Sequence, residues 1–259
     1  MPPLSGKVAI VTGSSRGIGR AIAMRLAADG ATVMLTATNQ AALQEVQAGI
    51  EAAGGRASSM ALDLRRPEAA SELVQVTLQR HGGIDIVVNN AGATKRGDFM
   101  DLTDEDWMDG FALKFFGMVR LLRAAWSQLK ERRGAVVNIA GIGGRTPGPQ
   151  FTIGGSVNAG MLSFTKAMAD LGVRDGVQVN AINPGAIRTA RLSKRLEALA
   201  KEREISLAEA EAQMVAETAT TRVGEPQDVA NLVAYLVAPG NRFLHGALVD
   251  LDGGATKSL

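Results

Sequence analysis

The chain contains no cysteine, a single tyrosine and only two histidines. Without cysteine there is neither a disulfide framework nor a thiolate metal site, and two histidines are too few for a histidine-built metal cluster. No stretch reaches the ~20 consecutive apolar residues that a membrane-spanning helix needs. The opening MPPLSGKVAIVTG carries no apolar run ahead of a cleavage site, so the expectation is a soluble, unexported, cytoplasmic protein that does not engage a membrane. An excess of one charge sign is missing too. The 28 Lys and Arg stand against 26 Asp and Glu, and the basic residues are scattered instead of gathered, which argues against nucleic acid as the main partner.

Proline is scarce, at 8, whereas glycine is frequent, at 30. That balance suits α/β proteins, in which strand-to-helix turns bring backbone close to its neighbours. The hydrophobic content of 46% over 259 residues allows one large α/β domain or two small ones. No composition shift marks a linker, so a single domain over 1–259 is expected.

The segment KVAIVTGSSRGIGRAIAMRLAADGATVMLTAT places an apolar β-branched run at Val8 to Val11 before a glycine-rich turn. Apolar residues at helical spacing follow (Ile18, Ile22, Leu26). The same rhythm continues with a helix over 41–53, a strand over 57–62, a helix over 67–80 and a strand over 84–89. Next come a long helical region over 104–131, a strand over 135–139, a helix over 153–171 and a strand over 177–182. Strands alternating with helices imply right-handed crossovers and a mostly parallel sheet covered on both faces. After Thr189 two helix-forming stretches adjoin, the second opened by a capping box at Ser206 and Glu209. They form either a surface excursion or a lid, at about 190–217. A helix over 226–237 and a strand over 247–251 close the chain.

The turn TGSSRGIG carries Gly13, Ser15, Arg16, Gly17, Ile18 and Gly19 between a strand and a helix. Glycines at this place let backbone approach a pyrophosphate, and the helix start offers unpaired N–H groups and a positive dipole end. At the end of the second strand a carboxylate would accept hydrogen bonds from a ribose 2′-hydroxyl and repel a 2′-phosphate. The stretch there, MLTATN, includes Thr38 and has no acid. With Arg16 able to pair with a phosphate dianion, NADP(H) is favoured over NAD(H).

Taken together, TGSSRGIG (12–19), LDL (62–64), NNAG (89–92), NPGAIRT (183–189) and DGG (252–254) occur in an order that resembles the short-chain dehydrogenase/reductase family over essentially the whole length. The resemblance implies a single-domain, doubly wound Rossmann fold with a seven-stranded parallel sheet, and a homodimer or homotetramer. It also places Asp63 beside the adenine, and Asn89, Asn90, Ala91 and Gly92 along the cofactor cleft. Ile187 and Thr189 flank the nicotinamide carboxamide, and Leu64, Pro184 and Gly185 join the cofactor-binding residues.

Members of that family transfer hydride with Asn, Ser, Tyr and Lys, the tyrosine being the general acid/base. Carried over position by position, these fall on Lys114, Gly141, Gly154 and Asn158, so all four differ. The lone tyrosine, Tyr235, lies in the last helix and reads as structural. A glycine can neither donate a proton nor hold a carbonyl oxygen through a side chain. One reading is therefore a catalytically inactive NADP-binding protein. A second notes that Lys114 and Asn158 exchange the Asn and Lys of the pattern, so that Lys114 could reach the ribose and Asn158 hold the relay water, giving a rearranged oxidoreductase site for a small carbonyl or alcohol. The bland alternative is a solvent-pointing Lys114. The two glycines leave a volume that a substrate ring or hydroxyl could fill, and a desolvated Lys114 could serve as proton donor or Schiff-base nucleophile. A third reading retains bound NADP for non-redox lyase or elimination chemistry. Gln150, Thr152 and Ser156 are the nearby polar groups. Lys95, Arg96, Arg145, Arg188 and Arg191 fall, as the resemblance implies, in segments that flank the family's substrate cleft; convergence of several would steer in an anionic substrate. His245 reads as a surface histidine.

Overall fold

The first apolar run forms strand β1 (Val8–Thr12), buried at all five positions, as befits a strand covered on both faces. The computed structural model describes residues 1–257. Six further strands join β1: β2 (Thr32–Ala37), β3 (Arg56–Ala61), β4 (Ile86–Asn89), β5 (Ala135–Ile139), β6 (Gln178–Pro184) and β7 (Leu248–Leu251). All pair in parallel, in the order β3-β2-β1-β4-β5-β6-β7. This is the doubly wound α/β fold that the alternating pattern implied. The strand order reverses between β1 and β4, and a crevice opens at the carboxyl ends of strands at such a switch point.

Alternation along the strands divides the core. Ala9 and Val11 of β1 face a cluster built with Ile22 and Leu26 of α1 (Gly17–Ala28), Leu43 of α2 (Gln40–Ala52), and Val233 and Leu236 of α9 (Pro226–Val237). Ile10 and Met34 face the opposite cluster, which includes Leu73 of α3 (Ala69–His81), Leu121 and Leu129 of α5 (Gly117–Glu131), and Val157 and Met161 of α6 (Thr152–Asp175). The period of two in the strands thus feeds both layers of helices.

The long helical region expected over 104–131 is present, in three contiguous pieces. α4 (Asp104–Gly110) starts at a Thr103–Asp106 capping box, Phe111–Phe116 winds as a π turn, and α5 follows. π turns concentrate at functional sites, and this one contains Lys114. The ring of Phe115 packs edge-on against Phe111 and Phe164. After β6, α7 (Ala190–Arg203) and α8 (Leu207–Thr218) share a small core of Leu192, Leu196, Ala200, Ala210 and Met214. The Ser206–Glu209 capping box is present as expected. No helix among the described residues is long and apolar enough to cross a membrane.

His245 is not a free surface residue. Its Nδ1 accepts from Val179 N at 3.3 Å and its Nε2 lies 2.6 Å from Ala169 O, so it fastens the loop before β7 to β6 and α6. A buried polar chain fastens the sheet centre to α6. Asn89 Nδ2 donates to Asn138 Oδ1 (2.8 Å), Asn138 Nδ2 donates to Thr165 Oγ1 (2.9 Å), and Thr165 Oγ1 donates to Met161 O (2.7 Å). Replacing Asn138 by Ala strands both the Asn89 amide and a Thr165 acceptor in the interior. Chemical denaturation of that variant is expected to show a loss of about 2–4 kcal/mol.

Candidate active site

The glycine turn sits where β1 meets the end of β4. Gly13 and Gly17 have φ of 65° and 55°, in the left-handed region that glycine enters without a Cβ penalty. A Cβ on Gly19 would collide with Gly13 O, and one on Gly13 would lie 2.9 Å from Ala91 Cα. The space in front of α1 is therefore kept free by backbone packing, and its first N–H groups stay open to an anion. Thr12 Oγ1 accepts from the backbone N–H of both Asn90 and Ala91 at 2.9 Å, and Asn90 Nδ2 donates to Thr12 O and Gly13 O. These bonds clamp the NNAG segment to the turn. On the third side, the Thr189 methyl would be 3.3 Å from a Cβ at Gly17.

Arg16 is the exposed N-cap of α1; Ser15 and Ile18 are half-buried beside it. Thr38, past the end of β2, is exposed, while Asn39 spends its side chain capping α2 through Ala42 N. No acid stands at this strand end. Asp63 accepts from Arg65 N at 3.0 Å, whereas Leu64 is buried in the core. Pro184 ends β6, Gly185 packs so closely on Asp252 that a Cβ would fall 2.8 Å from its Cα, and Ile187 is buried. The expected residues thus gather at one end of the sheet, apart from the buried Leu64 side chain. The cradle fits a dinucleotide pyrophosphate.

Lys114 reaches inward from the π turn, contrary to the solvent-pointing alternative. Its Nζ donates to Ala140 O at the end of β5 and to Asn158 Oδ1 on α6, each at 2.6 Å. The lysine stem crosses Gly92 so tightly that a Cβ there would lie 2.8 Å from Lys114 Cδ and 2.9 Å from Cγ. The residue as a whole is half-buried, but its amine is enclosed, and Asn158 is buried. Loss of hydration pulls the amine from its usual 10.5 down to about 7, with the charge of Arg191 adding to the effect. Both acceptors are neutral, so no carboxylate offsets the desolvation.

The two other departures are built into the same packing. Gly141 has φ of 146°, a conformation that disfavours a serine, and a Cβ would stand 3.0 Å from Asn158 Nδ2. At Gly154 the expectation of a vacant volume is corrected: a Cβ would collide with the ring of Phe151. That ring also covers Gly143, where a Cβ would meet it at 2.9 Å. Phe151 therefore fills the space beside Gly154 from within the chain. Gln150 and Ser156 are exposed, and Thr152 Oγ1 is buried without a hydrogen-bond partner among the described residues. Tyr235 is exposed on α9.

The flanking cations divide into two sets. Lys95 pairs with Asp106, Arg145 with Asp250, and Arg188 with both Glu211 and Glu225; these tie loops and helices together. Arg96 instead lies over the Phe151 ring, 4.3 Å from its centroid, and Arg191 Nη2 donates to Gly92 O at 3.0 Å. Three features escaped sequence reasoning: the Gly92 seat of Lys114, the Phe151 plug, and Arg195, one helical turn beyond Arg191. The i, i+3 spacing of Phe151 and Gly154 and the i, i+4 spacing of the two arginines were the available signals.

Comparison with known proteins follows the same outline. A family model described as enoyl-(acyl carrier protein) reductase matches residues 13–256. A 3-oxoacyl-(acyl-carrier-protein) reductase from Vibrio cholerae is 34% identical over 252 residues, covering 97% of this chain and 98% of that protein. The structure of L-sorbose reductase from Gluconobacter frateurii, complexed with NADPH and L-sorbose, superposes with a TM-score of 0.95 at 32% identity and covers all of both chains. An NADPH-bound short-chain oxidoreductase from Pseudomonas aeruginosa, described as containing an atypical catalytic centre, matches with a TM-score of 0.91 at 28% identity over 99% of each chain. With its sheet order, its glycine turn and these relatives in agreement, the chain belongs to the short-chain dehydrogenase/reductase family.

Proposed function

We propose that this protein is an NADP(H)-dependent oxidoreductase interconverting a carbonyl and an alcohol on a small molecule, with Lys114 as the acid–base group and Asn158 as its partner. The observation that carries this reading is the enclosed Lys114 amine, bonded to Asn158 Oδ1 and Ala140 O at 2.6 Å beside the dinucleotide cradle. Gly13, Ser15, Gly17, Ile18 and Gly19 would hold the pyrophosphate, and Arg16 with Thr38 the 2′-phosphate. Asp63, Asn90, Ala91 and Gly92, followed by Pro184, Gly185, Ile187 and Thr189, would line the remainder of the cofactor. When bound, NADP(H) supplies or accepts the hydride.

The chain's own contribution is the proton. A neutral amine has two N–H groups and a lone pair; here both N–H groups are engaged, so the lone pair is left for a substrate proton. After protonation the third N–H is the one available to a substrate oxygen. A pKa of about 7 populates both states near neutrality, the condition under which a general acid/base works best. Lys114 thus does the work that the family pattern assigns to a tyrosine. Asn158 fixes the amine and replaces the usual lysine without adding a second charge. Exposed apolar side chains on the α4–α5 face (Met108, Phe116) and near edge strand β7 (Phe243, Leu244) support a homodimer or homotetramer.

With NADPH and a panel of small carbonyl compounds, Lys114→Met is expected to lower kcat by ~10²–10⁴-fold while NADPH still binds. Unchanged turnover would remove Lys114 from the reaction, and a defined product without net cofactor oxidation would favour the non-redox reading.

The amine also sets a pH dependence of stability. Its folded pKa lies below its unfolded one, so between about 7 and 10.5 the unfolded chain binds more protons, and stability rises with pH across that window. Below about pH 7 both states carry the proton and the contribution is flat. Denaturation midpoints measured from pH 7 to 10 should therefore climb for the wild-type chain relative to Lys114→Met; parallel curves would contradict the buried, depressed amine.

A further inference from the structure

Arg96 and Arg191 flank the Lys114 site from two places in the chain, and Arg195 lies one helical turn beyond Arg191 on α7. Arg191 is anchored through Nη2 to Gly92 O (3.0 Å), the same residue whose Cα face carries the Lys114 stem. One residue therefore bridges a guanidinium and the enclosed amine. Arg96, four residues after Gly92, lies over the Phe151 ring, and that ring in turn covers Gly143 and Gly154. Arg195 follows Arg191 by four residues on α7 and so shares its helix face.

Among the described residues none of the three is paired with a carboxylate, although the neighbouring cations Lys95, Arg145 and Arg188 all are. Like charge gathered without acids costs free energy in the folded chain. Partial burial first, and then the nearby charges of Arg195 and Arg191, hold the Arg96 guanidinium below its usual range. Arg191 likewise bears on Lys114. The lone guanidinium hydrogen bond seen for Arg191, to a neutral backbone oxygen, leaves donors for a bidentate anion.

We propose that Arg96, Arg191 and Arg195 form the recognition site for an anionic group, a carboxylate or a phosphate, on the substrate whose carbonyl is presented to Lys114. The substrate class is then a small oxo-acid or a phosphorylated ketone, or the corresponding hydroxy compounds. This rests on the oxidoreductase reading for its carbonyl but not for its anion.

Binding to the NADP⁺-saturated full chain tests it by calorimetry, in two pairs: 2-oxoglutarate against its dimethyl ester, and dihydroxyacetone phosphate against dihydroxyacetone. Saturation with NADP⁺ removes the cofactor's own phosphates from the competition and, having no hydride to give, leaves the ketone unreduced during the titration. At least one anion should bind ~10-fold or more tightly than its neutral partner, and the pair that responds identifies carboxylate or phosphate. Arg96→Gln, Arg191→Gln and Arg195→Gln should each erode that preference by a comparable factor. Lys194→Gln, an equal charge change at an exposed position on the same helix, should leave it intact. NADPH affinity, unchanged in all four variants, reports that they are folded. Equal binding of anionic and neutral partners, or equal loss with Lys194→Gln, overturns the proposal. Selective anion binding without cofactor oxidation by any carbonyl compound would uphold this site while contradicting the oxidoreductase reading.

Discussion

A lysine amine enclosed between two neutral oxygens is the constraint around which the site is organised. Lys114 donates to Ala140 O and Asn158 Oδ1, and neither acceptor compensates the charge that burial disfavours. Two departures from the family pattern and one glycine the pattern shares pack directly on that arrangement. Gly92, the shared glycine of NNAG, seats the lysine stem where a Cβ would stand. Asn158 supplies an uncharged acceptor where a second lysine would add repulsion. Gly141 adopts a positive φ beside the Asn158 amide and leaves room for it.

The substitutions are consequently not independent losses. Phe151 closes the space at Gly154, so a tyrosine could not be restored there without displacing the ring. A serine at 141 would meet both an unfavourable backbone and the Asn158 amide. Residues that pack on each other in this way couple energetically, and single reversions to the usual set would be judged in the wrong context. The cofactor half of the cleft is different in kind. Its glycine turn, the Thr12–Asn90 bonds and the Gly185–Asp252 contact do not involve the altered positions, which meet this half only where the Lys114 stem crosses Gly92.

This division also explains what the sequence disclosed. The alternation of apolar runs and helical spacings was sufficient for the strands and for the helix layers, because burial on two faces leaves a period that can be read directly. The glycine turn was legible because its conformation and close approaches demand glycine. Lys114 and Asn158 were legible as a reciprocal pair. Their direct contact was not, since it depends on a π turn that apolar periodicity reads as ordinary helix. The Phe151 ring escaped notice for a similar reason: a missing side chain at Gly154 suggests a void until the neighbour that fills it is seen. Among the five flanking cations, ion pairs set Lys95, Arg145 and Arg188 apart from the two without a carboxylate partner among the described residues, and no local pattern carries that information.

One titration tests the enclosed Lys114 amine most directly. The full chain with ¹³Cε-labelled lysine can be followed by NMR from pH 5 to 11, with Lys114→Met used to assign the resonance. The Lys114 resonance is expected to titrate near neutrality, at about 7. A Lys114 resonance that titrates at its usual 10.5 would contradict the enclosed amine and with it the acid–base role.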